Sequence, residues 1–214
     1  MCRLLYVNSK NKFSCAEYLN KFADISKNSK EFQGHGWGCA YLLSGKWNYY
    51  KNVNPIWEDD LSQFGNSNRL IAHARSAFKD EGVAVENNMP FYDEKYIFIF
   101  NGELRGVKIK EEGKIGAEKI FNYIKRFDKG SIKDALRKGT EIIKNKSNYI
   151  RAMNIIMTDE KSAYVYSHFN EDEDYFTMKI KENDNMLIVC SEKLTDEIGW
   201  APIQNNTLME LQCF

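Results

Sequence analysis

Proline is scarce in this chain, with three residues in 214, and no Gly/Ser-rich linker is present. Since no internal repeat or composition break marks a boundary, we expect one domain over residues 1–214. No apolar run approaches the roughly 18 residues that span a bilayer. The opening MCRLLYV reaches polar residues too soon for a signal peptide, so we expect a cytoplasmic protein with no membrane partner.

An excess of charge is also missing, because thirty Lys+Arg balance thirty Asp+Glu. The net electrostatics therefore give no attraction to nucleic acid, and a small neutral or zwitterionic ligand fits better. The five cysteines form no CxxC pair and no cluster with the three histidines. This excludes a recognisable zinc site or disulfide framework, and we expect no metal and no cofactor.

The pattern of apolar residues predicts strands first, then helices, then strands again. Residues 2–7 are predicted as a strand, Ser14 with Glu17 as a capping box before a helix, and Ser44-Gly45 as a hairpin turn. Two amphipathic helices follow, the second capped by Ser131. The remaining predicted strands are NRLIAHARSA, EKYIFIFNGEL, RAMNIIMTD, SAYVYSHF, DYFTMKI, NMLIVCS and NTLMELQ. Because hairpin links outnumber βαβ crossovers, antiparallel sheets covered by helices are expected, an α+β fold.

Cys2 is the first candidate for chemistry, since removal of Met1 before a residue as small as cysteine leaves a thiol beside a free α-amine. The ordinary pKa of that amine, about 7.7–8.0, lies near that of a thiol, about 8.5, so the amine could be the base for its own side chain. The alternative is a buried strand cysteine that packs as a small apolar residue.

A second candidate is Arg75, which closes the apolar run RLIAHAR. At a strand end its planar guanidinium could bind a substrate carboxylate through two hydrogen bonds, although an ordinary ion pair is the alternative. His73 is expected to be a core residue without a catalytic role.

The third candidate is Asn101-Gly102, which follows an alternating apolar strand. Seen alone, Asn-Gly in that position is a hairpin turn. The other interpretation is an oxyanion hole made by the Asn101 amide and the Gly102 N–H.

The order of the motifs is more specific than any one of them. In sequence come MCR at the start, GWG at 36–38, AHxR at 72–75, PF at 90–91, NGEL at 101–104 and SEKL…W.P at 191–202. Over nearly the whole chain this resembles the class II glutamine amidotransferases, and most closely their stand-alone group with the YafJ-type proteins.

The resemblance implies an N-terminal nucleophile hydrolase fold, a four-layer αββα sandwich of two antiparallel sheets covered by helices. It implies that Cys2 attacks a γ-carboxamide, that Asn101 and Gly102 hold the oxyanion, and that Arg75 and Ser76 bind the substrate. Ammonia would leave and water would hydrolyse the γ-glutamyl thioester. A separate synthetase could take up the ammonia.

The chain departs from the family pattern at the substrate ammonium group, where relatives carry an acidic residue and this sequence has Gly116. Glu112 or Glu118 could substitute. Phe100 and Met89 replace histidines of relatives, which makes the expected pocket more apolar. Three functions stay open: a glutamine amidohydrolase, a hydrolase of another γ-glutamyl amide or peptide, and a non-catalytic subunit with this fold.

Overall fold

The computed structural model describes residues 1–77 and 82–214. Its strands share one arrangement, in which every pairing is antiparallel. In chain order they are β1 Arg3–Ser14, β2 Trp37–Leu43, β3 Lys46–Asn52, β4 Asn66–Ala74, β5 Phe91–Tyr92, β6 Ile97–Arg105, β7 Tyr149–Thr158, β8 Ser162–Ser167, β9 Lys179–Asn183, β10 Met186–Cys190, β11 Trp200–Pro202 and β12 Thr207–Gln212.

Within the described residues these strands form two sheets. The first has seven strands in the order β11-β9-β10-β1-β4-β2-β3, and the second has five in the order β12-β8-β7-β6-β5. The first strand of the chain therefore lies in the middle of the larger sheet. That position fixes the amino terminus, which in most domains is poorly ordered.

Four helices accompany the sheets in the described residues, α1 Cys15–Lys27, α2 Gly116–Lys125, α3 Ile132–Asn145 and the short α4 Glu173–Phe176. The Ser14 hydroxyl accepts a hydrogen bond from the Glu17 N–H at 3.3 Å, and the Ser131 hydroxyl accepts one from the Asp134 N–H at 3.3 Å. Both predicted helix caps are confirmed. None of the helices in the described part of the chain is long and apolar enough to cross a membrane.

The buried apolar residues fall mainly into two clusters that follow the layers. One joins α1 to its side of the seven-stranded sheet, through residues such as Leu19, Phe22 and Leu5. The other lies between the sheets and under α2 and α3, and includes Leu4 and Phe98. The predicted α+β architecture, two antiparallel sheets between helical layers, is confirmed.

Two local predictions are confirmed and one is wrong. Asn101-Gly102 lies inside β6, as the predicted strand EKYIFIFNGEL has it, and does not form the turn that the dipeptide alone favours. The partner strand β7 continues through the register Asn101↔Asn154 and Gly102↔Met153. The DYFTMKI segment, predicted as one strand, divides into α4 and β9. Ser44-Gly45 does form the predicted turn, with φ of 51° and 76° at its two residues.

Candidate active site

The register of the seven-stranded sheet brings the amino terminus to the end of β4. Arg3 is paired with Ala74, and because the two strands are antiparallel the next residues outward are Cys2 and Arg75. The Ser76 N–H lies 3.5 Å from the Cys2 sulfur, and the Ser76 carbonyl oxygen lies 3.7 Å from it. Residues that are 74 positions apart in the chain thus meet at one sheet edge.

The SEKL motif holds the beginning of β1 in place. The Leu4 N–H donates to the Ser191 hydroxyl at 2.8 Å, and the Ser191 N–H donates to the Leu4 carbonyl at 3.0 Å. One residue on, the Glu192 carboxylate pairs with the buried Arg3 guanidinium at 2.9 Å. These contacts immobilise the backbone directly after Cys2.

A cavity of about 610 Å³ opens at this edge, and we call it the Cys2 cavity. Five of the six predicted site residues line it: Cys2, Arg75, Ser76, Gly102 and Gly116. Cys2 is buried, with only 9% of its surface exposed, and it lines the cavity. The sixth residue, Asn101, precedes Gly102 on β6 and is fully buried.

Burial raises the pKa of the Cys2 thiol. The positive amino terminus, the Ser76 N–H and the Arg75 guanidinium act in the opposite direction but do not cancel the effect. The sulfur is therefore a neutral thiol at neutral pH. A nucleophilic role requires a base close enough to accept its proton.

Met1 lies beside this cysteine and is held by three polar groups. Its ammonium group pairs with the Glu31 carboxylate. Its carbonyl oxygen accepts hydrogen bonds from Gln33 Nε2 and from the Tyr175 hydroxyl, each at 2.6 Å. Polar groups thus hold the residue directly before Cys2 at both its ammonium group and its carbonyl oxygen.

The two buried asparagines that face each other across β6 and β7 differ in their hydrogen bonding. Asn154 is satisfied, since its Nδ2 donates to the Phe176 carbonyl at 2.7 Å and its Oδ1 accepts from the His168 N–H at 3.2 Å. Neither amide atom of Asn101 has a partner among the described residues. A buried amide left without partners is unfavourable by roughly 1–3 kcal/mol, and the Asn101 amide is therefore available to a group that enters next to Gly102.

Gly102 is required by its surroundings. A Cβ at this position would lie 2.1 Å from the Ala152 carbonyl oxygen, which is backbone and cannot move away without displacing β7. The strand interior, where glycine is usually unfavourable, therefore accepts no larger residue here.

His73 joins the two sheets next to the site. Its Nε2 lies 3.2 Å from the Phe100 carbonyl oxygen, which directly precedes Asn101. Because a carbonyl only accepts, Nε2 carries the proton, and Nδ1 has no partner among the described residues. Burial, together with the Arg75 charge, lowers the pKa of His73 to about 3. The prediction of a core histidine is confirmed by this complete burial.

Five charged residues of the cavity were not predicted: Glu31, Glu103, Arg105, Lys119 and Arg151. Arg151 Nη1 lies 2.9 Å from the Glu31 carboxylate and 3.9 Å from that of Glu103, while its Nη2 binds Asp172 at 2.5 Å. Burial alone would raise the pKa of Glu31, but the amino terminus and Arg151 outweigh it and lower the pKa. Glu31 is therefore ionised at neutral pH.

A signal for two of these residues is present in the sequence. Glu103 is the third residue of the NGEL motif, and Arg151 interrupts an otherwise apolar strand as Arg75 does. Glu31 lies in a polar loop and has no such signal.

The suggested replacements for the missing acidic residue are not in the cavity. Glu112 and Glu118 do not line it, and the Glu118 carboxylate instead accepts a hydrogen bond from the Lys114 N–H at 2.5 Å. Gly116, at the first position of α2, has open space where a Cβ would stand. Phe100 and Met89 do line the cavity, as expected from the more apolar pattern.

Comparison with solved structures places this arrangement of sheets among known folds. Glutamine phosphoribosylpyrophosphate amidotransferase from B. subtilis superposes over 99% of this chain with a TM-score of 0.67 and 16% identity. The chain has the fold of class II glutamine amidotransferases. It spans about half, 49%, of the B. subtilis enzyme.

Two further structures have nearly the same extent as this chain. A predicted glutamine amidotransferase from Pseudomonas aeruginosa is covered over 97% of its length, with a TM-score of 0.61 and 14% identity. A glutamine aminotransferase class-II domain protein from Silicibacter pomeroyi is covered over 99%, with a TM-score of 0.60 and 13% identity. No family model and no curated protein matches the sequence.

Proposed function

We propose that the protein is an amidohydrolase that uses Cys2 as an amino-terminal nucleophile and cleaves the γ-carboxamide of glutamine or of a related γ-glutamyl amide. One observation carries the proposal. The Cys2 sulfur lies 3.5 Å from the Ser76 N–H, in a cavity lined also by Arg75 and Gly102, and the neighbouring Asn101 amide is buried without a partner in the described chain.

The first step requires loss of Met1, which turns the peptide nitrogen of Cys2 into an amine. Because the raised pKa of the Cys2 thiol keeps it protonated, the sulfur needs a base to take its proton. The new amine, with an ordinary pKa of about 7.7–8.0, is that base. Loss of Met1 also frees the three groups that hold it, Glu31, Gln33 and Tyr175.

The reaction proceeds through a thioester. The amine takes the thiol proton, the sulfur attacks the γ-carbonyl carbon, and the oxyanion is held by the Asn101 amide and the Gly102 N–H. The carbon–nitrogen bond breaks as the leaving nitrogen receives the proton, and ammonia departs when glutamine is the substrate. Water then hydrolyses the thioester to glutamate and restores the thiol, so the steps include no cofactor.

The charged residues of the cavity suit the amino-acid end of such a substrate. Arg75, supported by Ser76, is proposed to bind the α-carboxylate. Gly116 offers no charge to the α-ammonium group. We assign that role to Glu31 and Glu103, whose carboxylates both line the cavity.

We further propose that residues 1–214 work as one catalytic domain of the stand-alone, YafJ-type group in the cytoplasm. Similar structures of nearly equal extent support this placement. Ammonia released from glutamine would pass to a separate synthetase.

The test is the intact mass of the purified protein after treatment with the glutamine analogue 6-diazo-5-oxonorleucine. We expect loss of Met1 and a single adduct that maps to Cys2. Cys2→Ala should carry no adduct, whereas Cys213→Ala, which removes a half-buried thiol outside the cavity, should be labelled like the wild type. A retained methionine with no adduct refutes the amidohydrolase and favours the non-catalytic alternative.

A further inference from the structure

The Cys2 cavity has a charged side and an apolar side. The charged side is the set of lining residues joined by contacts near Cys2. Arg75 lies beside Cys2, and Glu31 pairs with the Met1 ammonium group. Arg151 lies 2.9 Å from Glu31 and 3.9 Å from Glu103. The apolar side is the set of apolar lining residues that come from β6, the segment after it and α2, together with the residue before the PF motif. These residues include Met89, Phe100, Leu104, Val107, Ile109, Ile115 and Ile120. The same elements also carry the charged lining residues Glu103, Arg105 and Lys119.

The charged side suits the glutamyl end of a substrate but offers no binding site for the group on the other side of the scissile bond. A γ-glutamyl group carries one carboxylate and one ammonium. This side has Arg75 for the carboxylate and Glu31 and Glu103 for the ammonium, while Arg151 is bound by Glu31 and Asp172. A zwitterion buried next to apolar side chains would lose its hydration without compensation. The glutamyl end therefore occupies the charged side, and the reacting carbon lies near Cys2 and Gly102.

The group on the far side of the scissile bond must then face the apolar side. At about 610 Å³ the cavity is within the range that holds drug-sized ligands, and glutamine fills only a part of it. We propose that the preferred substrates are γ-glutamyl amides of apolar amines, with the amine seated among Phe100, Ile109 and Ile115. This inference rests on the proposed function.

Polar leaving groups fit this side less well. Phe100 and Met89 are buried, at 6% and 3% exposed, and offer no side-chain hydrogen bond to a carboxylate such as that of a γ-glutamyl peptide. Arg105 and Lys119 also line the cavity, but their side chains are exposed, so water competes with any anion that they bind. An aliphatic or aromatic amine gains instead from leaving water.

The chemistry is unchanged by this choice of leaving group. The Cys2 thiol proton passes through the terminal amine to the leaving nitrogen, the carbon–nitrogen bond breaks, and the apolar amine departs in place of ammonia. Water hydrolyses the resulting γ-glutamyl thioester to glutamate and free thiol.

The test compares kcat/KM of the full chain for glutamine, γ-glutamylmethylamide, γ-glutamylbenzylamide and γ-glutamylglycine, with glutamate as the common product. We expect γ-glutamylbenzylamide to exceed glutamine and γ-glutamylglycine by about tenfold or more, the factor that burial of a modest part of an aromatic ring supplies. Equal or better hydrolysis of glutamine or γ-glutamylglycine overturns the inference and leaves the proposed function standing. If no γ-glutamyl compound is hydrolysed, both fail.

A pair of variants tests whether a preference for γ-glutamylbenzylamide comes from contacts with the apolar side. Ile109→Asn places an amide in the apolar side at a half-buried position outside the helices and strands. It should lower the ratio of kcat/KM for the benzylamide over the methylamide by about fivefold. Ile198→Asn, the same change at a residue that is 94% exposed and does not line the cavity, should leave that ratio unaltered. Equal ratios in the wild type and the Ile109 variant overturn the inference.

Discussion

Burial of the His73 ring makes the stability of the protein depend on pH, because it disfavours the charged imidazolium more than the Phe100 carbonyl favours it. The ring is buried in its neutral form, and its pKa is about 3 instead of the ordinary 6.5. Because the unfolded chain binds the proton first as pH falls, the stabilisation is fully present above pH 6.5. It is lost progressively as pH falls from 6.5 towards 3.

The loss between pH 7 and pH 5 is about 2 kcal/mol, since each pH unit well inside that window changes the free energy of unfolding by about 1.4 kcal/mol. His73→Gln removes the titrating ring and keeps an N–H that can donate to the Phe100 carbonyl. Whatever the variant loses at pH 7, its difference from the wild type should therefore be about 2 kcal/mol smaller at pH 5.

The measurement is urea unfolding followed by the fluorescence of the four tryptophans at both pH values. His168 is a second histidine whose pKa is lowered mainly by burial, so the comparison is repeated in a His168→Gln background. In that background too, the difference in the free energy of unfolding between the protein with His73 and its His73→Gln variant should be about 2 kcal/mol smaller at pH 5 than at pH 7. A difference between wild type and His73→Gln that is the same at pH 7 and pH 5 would refute a neutral buried ring.

Other substitutions test the site itself. Gly102→Ala should lower the free energy of unfolding by about 1–3 kcal/mol, because its Cβ would meet the Ala152 carbonyl oxygen. Gly116→Ala, where a Cβ has open space, should change the free energy of unfolding by less than about 1 kcal/mol. Similar thermal melting of the two variants would contradict the crowding at Gly102. Arg75→Lys should raise the KM for glutamine about tenfold, since an ammonium cannot bind a carboxylate through two parallel N–H groups, and an unchanged KM in steady-state assays would count against that role. Asn101→Ala should lower kcat by about 10²–10³ with little effect on KM, and a wild-type kcat would remove Asn101 from the oxyanion hole.

What could be predicted from the sequence was local in origin. The caps at Ser14 and Ser131 and the turn at Ser44-Gly45 depend on the residues themselves and their immediate neighbours, and all three are present. Asn101-Gly102 shows the limit of such rules. The dipeptide favours a turn on its own, but β7 pairs with β6 past this point, and the long-range partner decides.

For the candidate site too, local sequence patterns point to some residues, while others are brought together only by the fold. Cys2 and Arg75 could be found because each breaks a pattern, a thiol at the start of a strand and a guanidinium at the end of one. Glu31 and Arg151 could not be brought together from the sequence, since they are separated by most of the chain and meet only through the folded arrangement around Met1 and Asp172. Such charge networks have no spacing rule.

The proposed nucleophile lies near the end of the chain, which poses a physical problem, because terminal residues usually fray and a base must stay within reach of its thiol. Here the first strand lies between β10 and β4, and its backbone pairs with β4 from Arg3 onward and with β10 from Leu5 onward. The Arg3 guanidinium adds a contact 4.2 Å from the centre of the Tyr175 ring, and it also binds Glu192. Placing the terminus in the middle of the larger sheet thus gives Cys2 the fixed position that a strand at the sheet edge would not provide.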